Sequence, residues 1–209
     1  MKLGIILPFK GEPNDLTECL NDLDLHVYYR PATIFISLDG ECDVNGRYEI
    51  AVDVTVSDRG GEYVATANAG YKAARDWADL FIIWADDCRS FHYGWGGDVV
   101  KRYQEIFPNG GGLLCLNDGY WDGRLATHPV FDRRFVEMLD YPEGLVYPED
   151  YIHFGADNEI TERAKKAGCY AYAPEIRYLH PTPLERGGYE SNKYKVDDAA
   201  TLSRRRELY

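Results

Sequence analysis

The sequence predicts an α/β fold: a single domain with a Rossmann-like, mostly parallel sheet flanked by helices. Two observations support this prediction. Short apolar runs alternate with segments of helical spacing over the first ~90 residues, which is typical of parallel strands joined by helices. The chain has 209 residues, 45% of them hydrophobic and 28% charged, which is the size and composition of one ordinary globular domain.

The first half alternates strands and helices. "KLGIILPF" is an apolar run that predicts the first strand, and a helix follows with Asn14 as its N-cap. "ATIFISLDGE" and "EIAVDVTVSDRGG" predict the next two strands. "EYVATANAGYKAARDWA" predicts a second helix, although Gly70 is unfavourable at its centre, and a strand over 80–84 follows.

The second half is less regular. "GWGGDVVKRYQEIF" predicts a helix after a glycine loop, and "GGGLLCLND" predicts a strand. "YWDGRLATHPVFDRRFVEMLD" predicts a loop and then a helix that starts near Pro129. "ADNEITERAKKAG" predicts a helix closed by Gly168, and "CYAYAPEIRYLHPTP" predicts a final strand. We expect one domain over 1–183 and a polar tail or terminal helix over 184–209.

Charge and cysteine usage exclude several classes of protein. The net charge of −12 argues against a protein that holds nucleic acid by neutralising many phosphates, although a local basic patch could still meet a nucleic-acid substrate. The five cysteines are scattered without a C-x-x-C pair, so neither a disulfide framework nor a zinc site is indicated. The sequence contains no long apolar stretch, and its N-terminus is too short for a signal peptide, so we expect a soluble, cytoplasmic protein.

Carboxylates follow the ends of three predicted strands. Asp39, Asp58 and the adjacent pair Asp86 and Asp87 occupy these positions. In open parallel sheets, ligands bind outside the carboxyl ends of the strands. Two like charges at the end of a buried strand are costly unless a positive group lies beside them. The strand ends therefore predict a site, and a divalent cation would bridge it to an anionic ligand such as a nucleoside diphosphate.

Six short motifs occur along the chain in a characteristic order. They are "ILPFK", "SLDGECD", "NAGYKAA", "WADD", the spaced residues Asp157, Arg163 and Gly168, and "YLHPTP" with His180. This series, over residues 3–182, resembles the nucleotide-sugar glycosyltransferases of the GT-A fold, in particular the large inverting, family 2-like group. The family's second strand typically ends D-D-G-S-x-D, from which Leu38 and Glu41 depart. Trp84 stands where the family's D-x-D motif has its first aspartate.

The resemblance implies an enzyme that moves a sugar from a nucleotide sugar, here a UDP-sugar, to an acceptor hydroxyl with inversion. It implies a nucleotide-binding half over 1–90 and an acceptor half over 91–183. The residues that it assigns to nucleotide binding are Pro8, Phe9, Asp39, Asp58, Asn68, Lys72 and Asp86. For Asp39 and Asp58 ordinary turn chemistry is the alternative, since Asp-Gly alone is a common turn.

The cofactor implied by the resemblance is Mn²⁺ or Mg²⁺. A metal held by carboxylate and imidazole neutralises the diphosphate leaving group as a Lewis acid. Asp86, Asp87 and His180 are the expected ligands. The alternatives are a solvated turn for the two aspartates and a strand-end histidine hydrogen-bonded to backbone for His180. Trp84 puts in question the ribose contact that the first aspartate of the motif makes.

Inverting transfer needs a base, and Asp157 matches the family position for it. Asp157 lies near a predicted helix N-terminus, where a carboxylate is also a plain N-cap. Glu159 is the second candidate, and a surface ion pair with Arg163 at i, i+4 is the alternative for it.

The sequence gives a weaker prediction of the residues that bind the acceptor. Trp121, Arg124 and His128 lie in one loop after a predicted strand, where an aromatic ring could stack on a sugar or a base or belong to the core. The acceptors that we expect for such an enzyme are a glycan, a lipid-linked sugar, a protein or a modified DNA base. The compact size is in keeping with a bacterial or bacteriophage enzyme. A nucleotidyltransferase and a non-catalytic binding module of the same fold are the alternatives to a glycosyltransferase.

Overall fold

The computed structural model describes residues 1–40, 42, 44, 46–90 and 92–180. Within these residues eight strands form one sheet in the order β3-β2-β1-β4-β7-β6-β8-β5. The strands are β1 (Leu3–Phe9), β2 (Ala32–Leu38), β3 (Ala51–Val56), β4 (Leu80–Ile83), β5 (Arg89–Ser90), β6 (Leu113–Asn117), β7 (Val130–Asp132) and β8 (Tyr170–Leu179). Glu41 and Asp43 of the second motif, and the predicted tail over 184–209, lie outside the described residues.

Helices cover both faces of the sheet. They are α1 (Pro13–His26), α2 (Tyr63–Ala74), α3 (Trp95–Ile106), α4 (Arg133–Leu139) and α5 (Ala156–Lys166), with a short 3-10 turn at Pro142–Gly144. Gly168, with φ +69°, follows the end of α5, as predicted. None of the helices in the described part of the chain is long and apolar enough to cross a membrane.

The sheet is mostly parallel, as predicted. β1 pairs in parallel with β2 and β4, β2 with β3, and β6 with β8. Only β7 and the two-residue β5 run antiparallel to their neighbours. The carboxyl ends of β1, β2 and β4 therefore meet at one edge, which is where the predicted site lies.

The prediction of a helix from about Pro129 was wrong in its start. Val130–Asp132 forms β7, which fills the space between β4 and β6, and α4 begins only at Arg133. Val130 and Phe131 are fully buried in the sheet. A run of two apolar residues is too short for its spacing to distinguish a strand from the first turn of a helix, which is why the sequence did not predict β7. Asp132 then caps α4, because its side chain accepts the N–H of Phe135.

Two apolar clusters lie on opposite faces of the sheet. One packs the odd-numbered residues of β1 against α1 and α3, and the other packs Ile6 against α2, α4 and α5. The central strands β1 and β2 are buried at every residue, because both faces are covered. β3 lies at the edge of the sheet and is largely exposed.

Candidate active site

The ends of β1, β2 and β4 meet around the turn that follows β1. The backbone N–H of Asp39 donates to the carbonyl of Phe9 at 2.9 Å. A Cβ on Gly11 would lie 3.2 Å from the Phe9 ring and 3.6 Å from Asp86 Oδ2. Asp86 thus directs its carboxylate at the turn after β1, where Pro8 and Phe9 end the first strand.

Asp39 holds a buried carboxylate at this edge. Its side chain is 4% exposed, and Oδ2 lies 3.2 Å from the Lys10 ammonium. Oδ1 accepts the N–H of Gly61 at 2.6 Å. Oδ2 has no hydrogen-bond donor among the described residues, since the contact with Lys10 is an ion pair without hydrogen-bond geometry. A hydroxyl or an imide N–H of a ligand would satisfy that oxygen. Asp58, by contrast, is exposed.

Trp84 belongs to the core. Its side chain is 1% exposed, stacks on Trp95 with ring centroids 5.0 Å apart, and contacts Tyr178. Because side chains alternate along a strand, the ring of Trp84 enters the α3 side of the sheet. Packing therefore explains why a tryptophan stands at the position of the first aspartate of the D-x-D motif.

Asp157 lies in the first turn of α5 but is not its N-cap. That position is Gly155, with φ +95°, and the Asp157 carboxylate accepts the N–H of Asn158 at 2.9 Å. Burial raises the pKa of the Tyr63 hydroxyl, and the negative charges of Asp157 and Asp86 raise it further.

Glu159 is buried, and its carboxylate accepts several hydrogen bonds. Tyr141 Oη donates to Oε1 at 2.7 Å, Tyr151 Oη donates to Oε2 at 2.9 Å, and Arg163 Nε donates to Oε1 at 3.1 Å. The side chain is 1% exposed, so the pair with Arg163 is not a plain surface ion pair. This geometry suits a carboxylate that holds two tyrosines in place better than one that takes up a substrate proton.

Two predicted nucleotide-binding residues on α2 point elsewhere. Asn68 is buried, and its amide bonds the backbone of residues 146–147: Nδ2 donates to the Tyr147 carbonyl at 2.9 Å, and Oδ1 accepts the Tyr147 N–H at 3.0 Å. Lys72, nearer the end of α2, pairs with Glu143 at 2.8 Å in a solvent-exposed contact. Both side chains are thus engaged with the segment over 143–147.

The structure brings Cys88, His128 and His180 together. One ligand atom from each lies within 4.8 Å of the other two, and Cys88 Sγ is 3.2 Å from His128 Nε2. Cys88 and His128 are buried and His180 is half-buried. Burial lowers the pKa of His128 well below its usual range and raises the pKa of the Cys88 thiol well above its own. Both side chains are therefore neutral near pH 7 in the metal-free protein.

A chain of hydroxyl groups orients His128. Thr127 Oγ1 donates to Asp118 Oδ2 at 3.1 Å and lies 2.7 Å from Tyr178 Oη. Tyr178 Oη lies 2.7 Å from His128 Nδ1. Cys88, Asp118, Thr127 and Tyr178 are not among the site residues predicted from the sequence.

The acceptor-side prediction falls on a partly exposed loop. The indole of Trp121 is half-buried, with the guanidinium of Arg124 5.7 Å from its centroid. The backbone of Trp121 is fixed because its N–H donates to Asp118 Oδ1 at 2.8 Å. Trp121 is thus not a fully buried core aromatic. His128, in contrast, turns inward to Cys88.

No protein-family profile and no curated protein match the sequence. Solved structures do match the fold. S. aureus TarS aligns with a TM-score of 0.68 at 14% identity over 89% of this chain, which spans 38% of that TarS chain. The mannosyltransferase PcManGT from Pyrobaculum calidifontis, solved with GDP-Man and Mn²⁺, aligns at 0.63 and 16% identity over 99% of this chain and 69% of its own.

A third similar structure is a Drosophila beta-1,4-galactosyltransferase 7 in complex with manganese, UDP-Gal and xylobiose. It aligns with a TM-score of 0.58 at 12% identity, over 92% of this chain and 78% of its own. At identities this low, the alignments establish a common fold. The chain therefore has the GT-A-like fold of these glycosyltransferases, the fold that its ordered motifs predict.

Proposed function

We propose that the protein is a metal-dependent glycosyltransferase that moves a sugar from a nucleotide sugar, a UDP-sugar in our proposal, to an acceptor hydroxyl with inversion. The observation that carries the proposal is the GT-A-like fold, shared with solved glycosyltransferases in complex with GDP-Man and UDP-Gal, together with the Asp86 carboxylate at the turn after β1. Asp86 belongs to the predicted donor half, and Asp157, the proposed base, to the predicted acceptor half. A transferase needs its leaving-group site and its base beside the same reacting carbon.

The donor would bind at the edge formed by β1, β2 and β4. Pro8 and Phe9 shape the nucleoside pocket, and Asp39 accepts from a uracil imide or a ribose hydroxyl through Oδ2, which lacks a hydrogen-bond donor among the described residues. We do not assign donor contacts to Asp58, which is exposed, or to Asn68 and Lys72, whose side chains are engaged elsewhere.

Asp86, Asp87 and His180 would hold the divalent cation. Asp87 Oδ1 lies 3.8 Å from Cys88 Sγ, and a ring nitrogen of His180 lies within 4.8 Å of the same sulfur, so both proposed ligands are neighbours of Cys88. Oxygen ligands with one imidazole fit Mn²⁺ or Mg²⁺. When bound, the cation would supply charge neutralisation for the departing diphosphate.

Asp157 would act as the base. Its carboxylate takes the proton of the acceptor hydroxyl while that oxygen forms a bond to the anomeric carbon and the bond from this carbon to the diphosphate oxygen breaks. Attack from the face opposite the leaving group inverts the configuration. Glu159 positions Tyr141 and Tyr151 beneath the helix that carries Asp157. The half-exposed indole of Trp121, with Arg124 beside it, offers a flat surface for an acceptor sugar or base.

Thermal unfolding with a panel of nucleotides tests the donor assignment. UDP, CDP, GDP and their sugars are added with and without Mn²⁺. A ligand at 100 times its Kd that binds only the folded protein stabilises it by about 2.7 kcal/mol. We expect the largest shift from a UDP ligand, and only with Mn²⁺. A complete lack of metal-dependent shift across the panel would overturn the proposal.

The variant Asp157→Asn tests whether Asp157 is the catalytic base. We expect the nucleotide-induced shift to survive while turnover of the nucleotide sugar falls by about 100-fold or more, because only the proton transfer is removed. Glu162→Gln makes the same change on the same helix and should retain turnover. Turnover that survives Asp157→Asn would contradict the assignment.

Ligand binding without any turnover in the wild type would favour the binding module, and pyrophosphate release from a nucleoside triphosphate would favour a nucleotidyltransferase.

A further inference from the structure

Three side chains with metal-binding atoms meet next to the turn that carries Asp86 and Asp87. Cys88 comes from the turn between β4 and β5, His128 from the segment before β7, and His180 from the end of β8. Their ligand atoms lie within 4.8 Å of one another. Cys88 and His128 are not among the residues that the proposed transfer reaction uses.

The hydrogen-bond chain fixes which nitrogen of His128 is free. The hydroxyl of Thr127 donates its one proton to Asp118 Oδ2, so Thr127 Oγ1 accepts from Tyr178. The Tyr178 oxygen then accepts from His128 Nδ1 at 2.7 Å. The proton of the neutral imidazole is thus on Nδ1, and the lone pair of Nε2 points to Cys88 Sγ at 3.2 Å.

We propose that Cys88, His128 and His180 form a zinc site of one thiolate and two imidazoles, so that Zn²⁺ and the donor cation compete for His180 while Cys88 and His128 belong to the zinc site alone. Tetrahedral Zn²⁺ with Zn–S of about 2.3 Å and Zn–N of about 2.0 Å holds sulfur and nitrogen about 3.5 Å apart. The Cys88–His128 pair would open slightly from 3.2 Å, and ligand atoms that lie up to 4.8 Å apart would move closer together. A thiolate favours Zn²⁺ over the oxygen-seeking Mg²⁺ and Mn²⁺.

Binding converts an existing hydrogen bond into two metal bonds. The thiol of Cys88 releases its proton to solvent, and the sulfur and His128 Nε2 each donate a lone pair to the ion. The hydroxyl of Tyr178 keeps the other nitrogen of His128 occupied, as an outer partner of a metal-bound histidine does. The ion would join the turn after β4, which carries Asp86 and Asp87, to β7 and to the end of β8.

Cobalt spectroscopy of the full chain tests the site without any nucleotide. Co²⁺ added to metal-free protein should give a thiolate-to-cobalt charge-transfer band and tetrahedral d–d bands, which a stoichiometric amount of Zn²⁺ abolishes. Excess Mg²⁺ or Mn²⁺ should not displace the cobalt. A spectrum without the charge-transfer band, or ready displacement by Mg²⁺, would overturn the proposal.

Variants separate this site from the donor cation. Cys88→Ser should remove the charge-transfer band, while Cys169→Ser, at the opposite end of β8, should keep it. Tyr178→Phe leaves all ligands in place and should weaken Zn²⁺ binding by roughly 10-fold through loss of the outer partner of His128. Circular dichroism of each variant verifies folding. A band that persists in folded Cys88→Ser would refute the site.

The zinc proposal and the proposed transferase function can fail independently. They share His180, but Cys88→Ser and Tyr178→Phe leave Asp86, Asp87 and His180 in place for the donor cation. The cobalt spectrum is recorded without nucleotide, and the Mn²⁺-dependent nucleotide shift is recorded without zinc. Loss of the cobalt band would therefore count against the zinc site alone, and loss of the Mn²⁺-dependent nucleotide shift would count against the transferase alone.

Discussion

At the scale of single residues, Asn68 uses both the oxygen and the nitrogen of its amide to hydrogen-bond the backbone of one neighbouring segment. Its Oδ1 accepts the N–H groups of Val146 and Tyr147, and its Nδ2 donates to the Tyr147 carbonyl. Val146 and Tyr147 are buried, so the Asn68 side chain supplies these backbone groups with partners away from solvent. A buried amide in this position links α2 to the chain that leads into α5.

Asn68→Ala should therefore lower the free energy of unfolding by about 2–3 kcal/mol, because buried backbone groups lose their partners. Urea denaturation measures the change. Lys72→Ala, one turn further along α2, should leave the urea midpoint unchanged, because its pair with Glu143 lies in solvent. If Asn68→Ala kept full stability but lost the nucleotide-induced thermal shift, Asn68 would be a ligand-binding residue, as the sequence motif predicts.

At the scale of elements, Asp132 joins the end of β7 to the start of α4. Its Oδ1 accepts the N–H of Phe135 at 2.9 Å, and the carboxylate also accepts the N–H of Gly111 at 3.0 Å. Asp132 is 7% exposed. One side chain thus caps a helix and holds the turn before β6, which is why the chain can pass from strand to helix without a loop.

Asp132→Ala should destabilise the protein by about 2 kcal/mol, with about half from the lost cap and half from the Gly111 bond. Asp132→Asn keeps an acceptor oxygen and should cost less. Glu137→Ala, at an exposed position of the same helix, serves as the control and should change stability by less than about 0.5 kcal/mol. Equal urea midpoints for Asp132→Ala and Glu137→Ala would contradict the capping role.

At the scale of the whole molecule, the helix layers pack directly on the central strands. α2 approaches β1 and β2 so closely that a Cβ on Gly70 would lie 2.7 Å from Ile6 Cγ2 and 3.3 Å from Ser37 Cβ. The glycine that weakens the helix signal in the sequence is thus explained by the contact between layers. On the other face, a Cβ on Gly97 in α3 would meet Tyr29 only at 3.6 Å.

Gly70→Ala should destabilise the fold by about 1–3 kcal/mol, because the overpacked methyl group outweighs its better helix propensity. Gly97→Ala has room for the methyl group and should be neutral or stabilising by up to about 1 kcal/mol. Thermal and urea unfolding of the two variants side by side measures the difference. A stabilised Gly70→Ala would mean that the layers yield more easily than this packing indicates.

The alternation of strands and helices was predictable, because each buried strand is an apolar run and each helix has apolar residues at helical spacing. The position of Asp39 and Asp86 at the same edge of the sheet was predictable for a related reason: parallel strands bring their carboxyl ends to one edge. The intramolecular hydrogen-bond partners of polar residues were not predictable. Asn68 and Lys72 fit a nucleotide-binding motif by spacing, and their side chains bond residues in the segment over 143–147, which no spacing along the chain indicates.

The sequence by itself thus determined the fold class, the order of most elements and the edge of the sheet at which the strand-end carboxylates lie, because these follow from local periodicity and chain direction. Only the tertiary structure inserted β7 between β4 and β6 and brought Cys88 beside His128 and His180. The five cysteines carry no zinc spacing along the chain. Ligands that come from three separate strand ends leave no local pattern, because their proximity arises only when the sheet assembles.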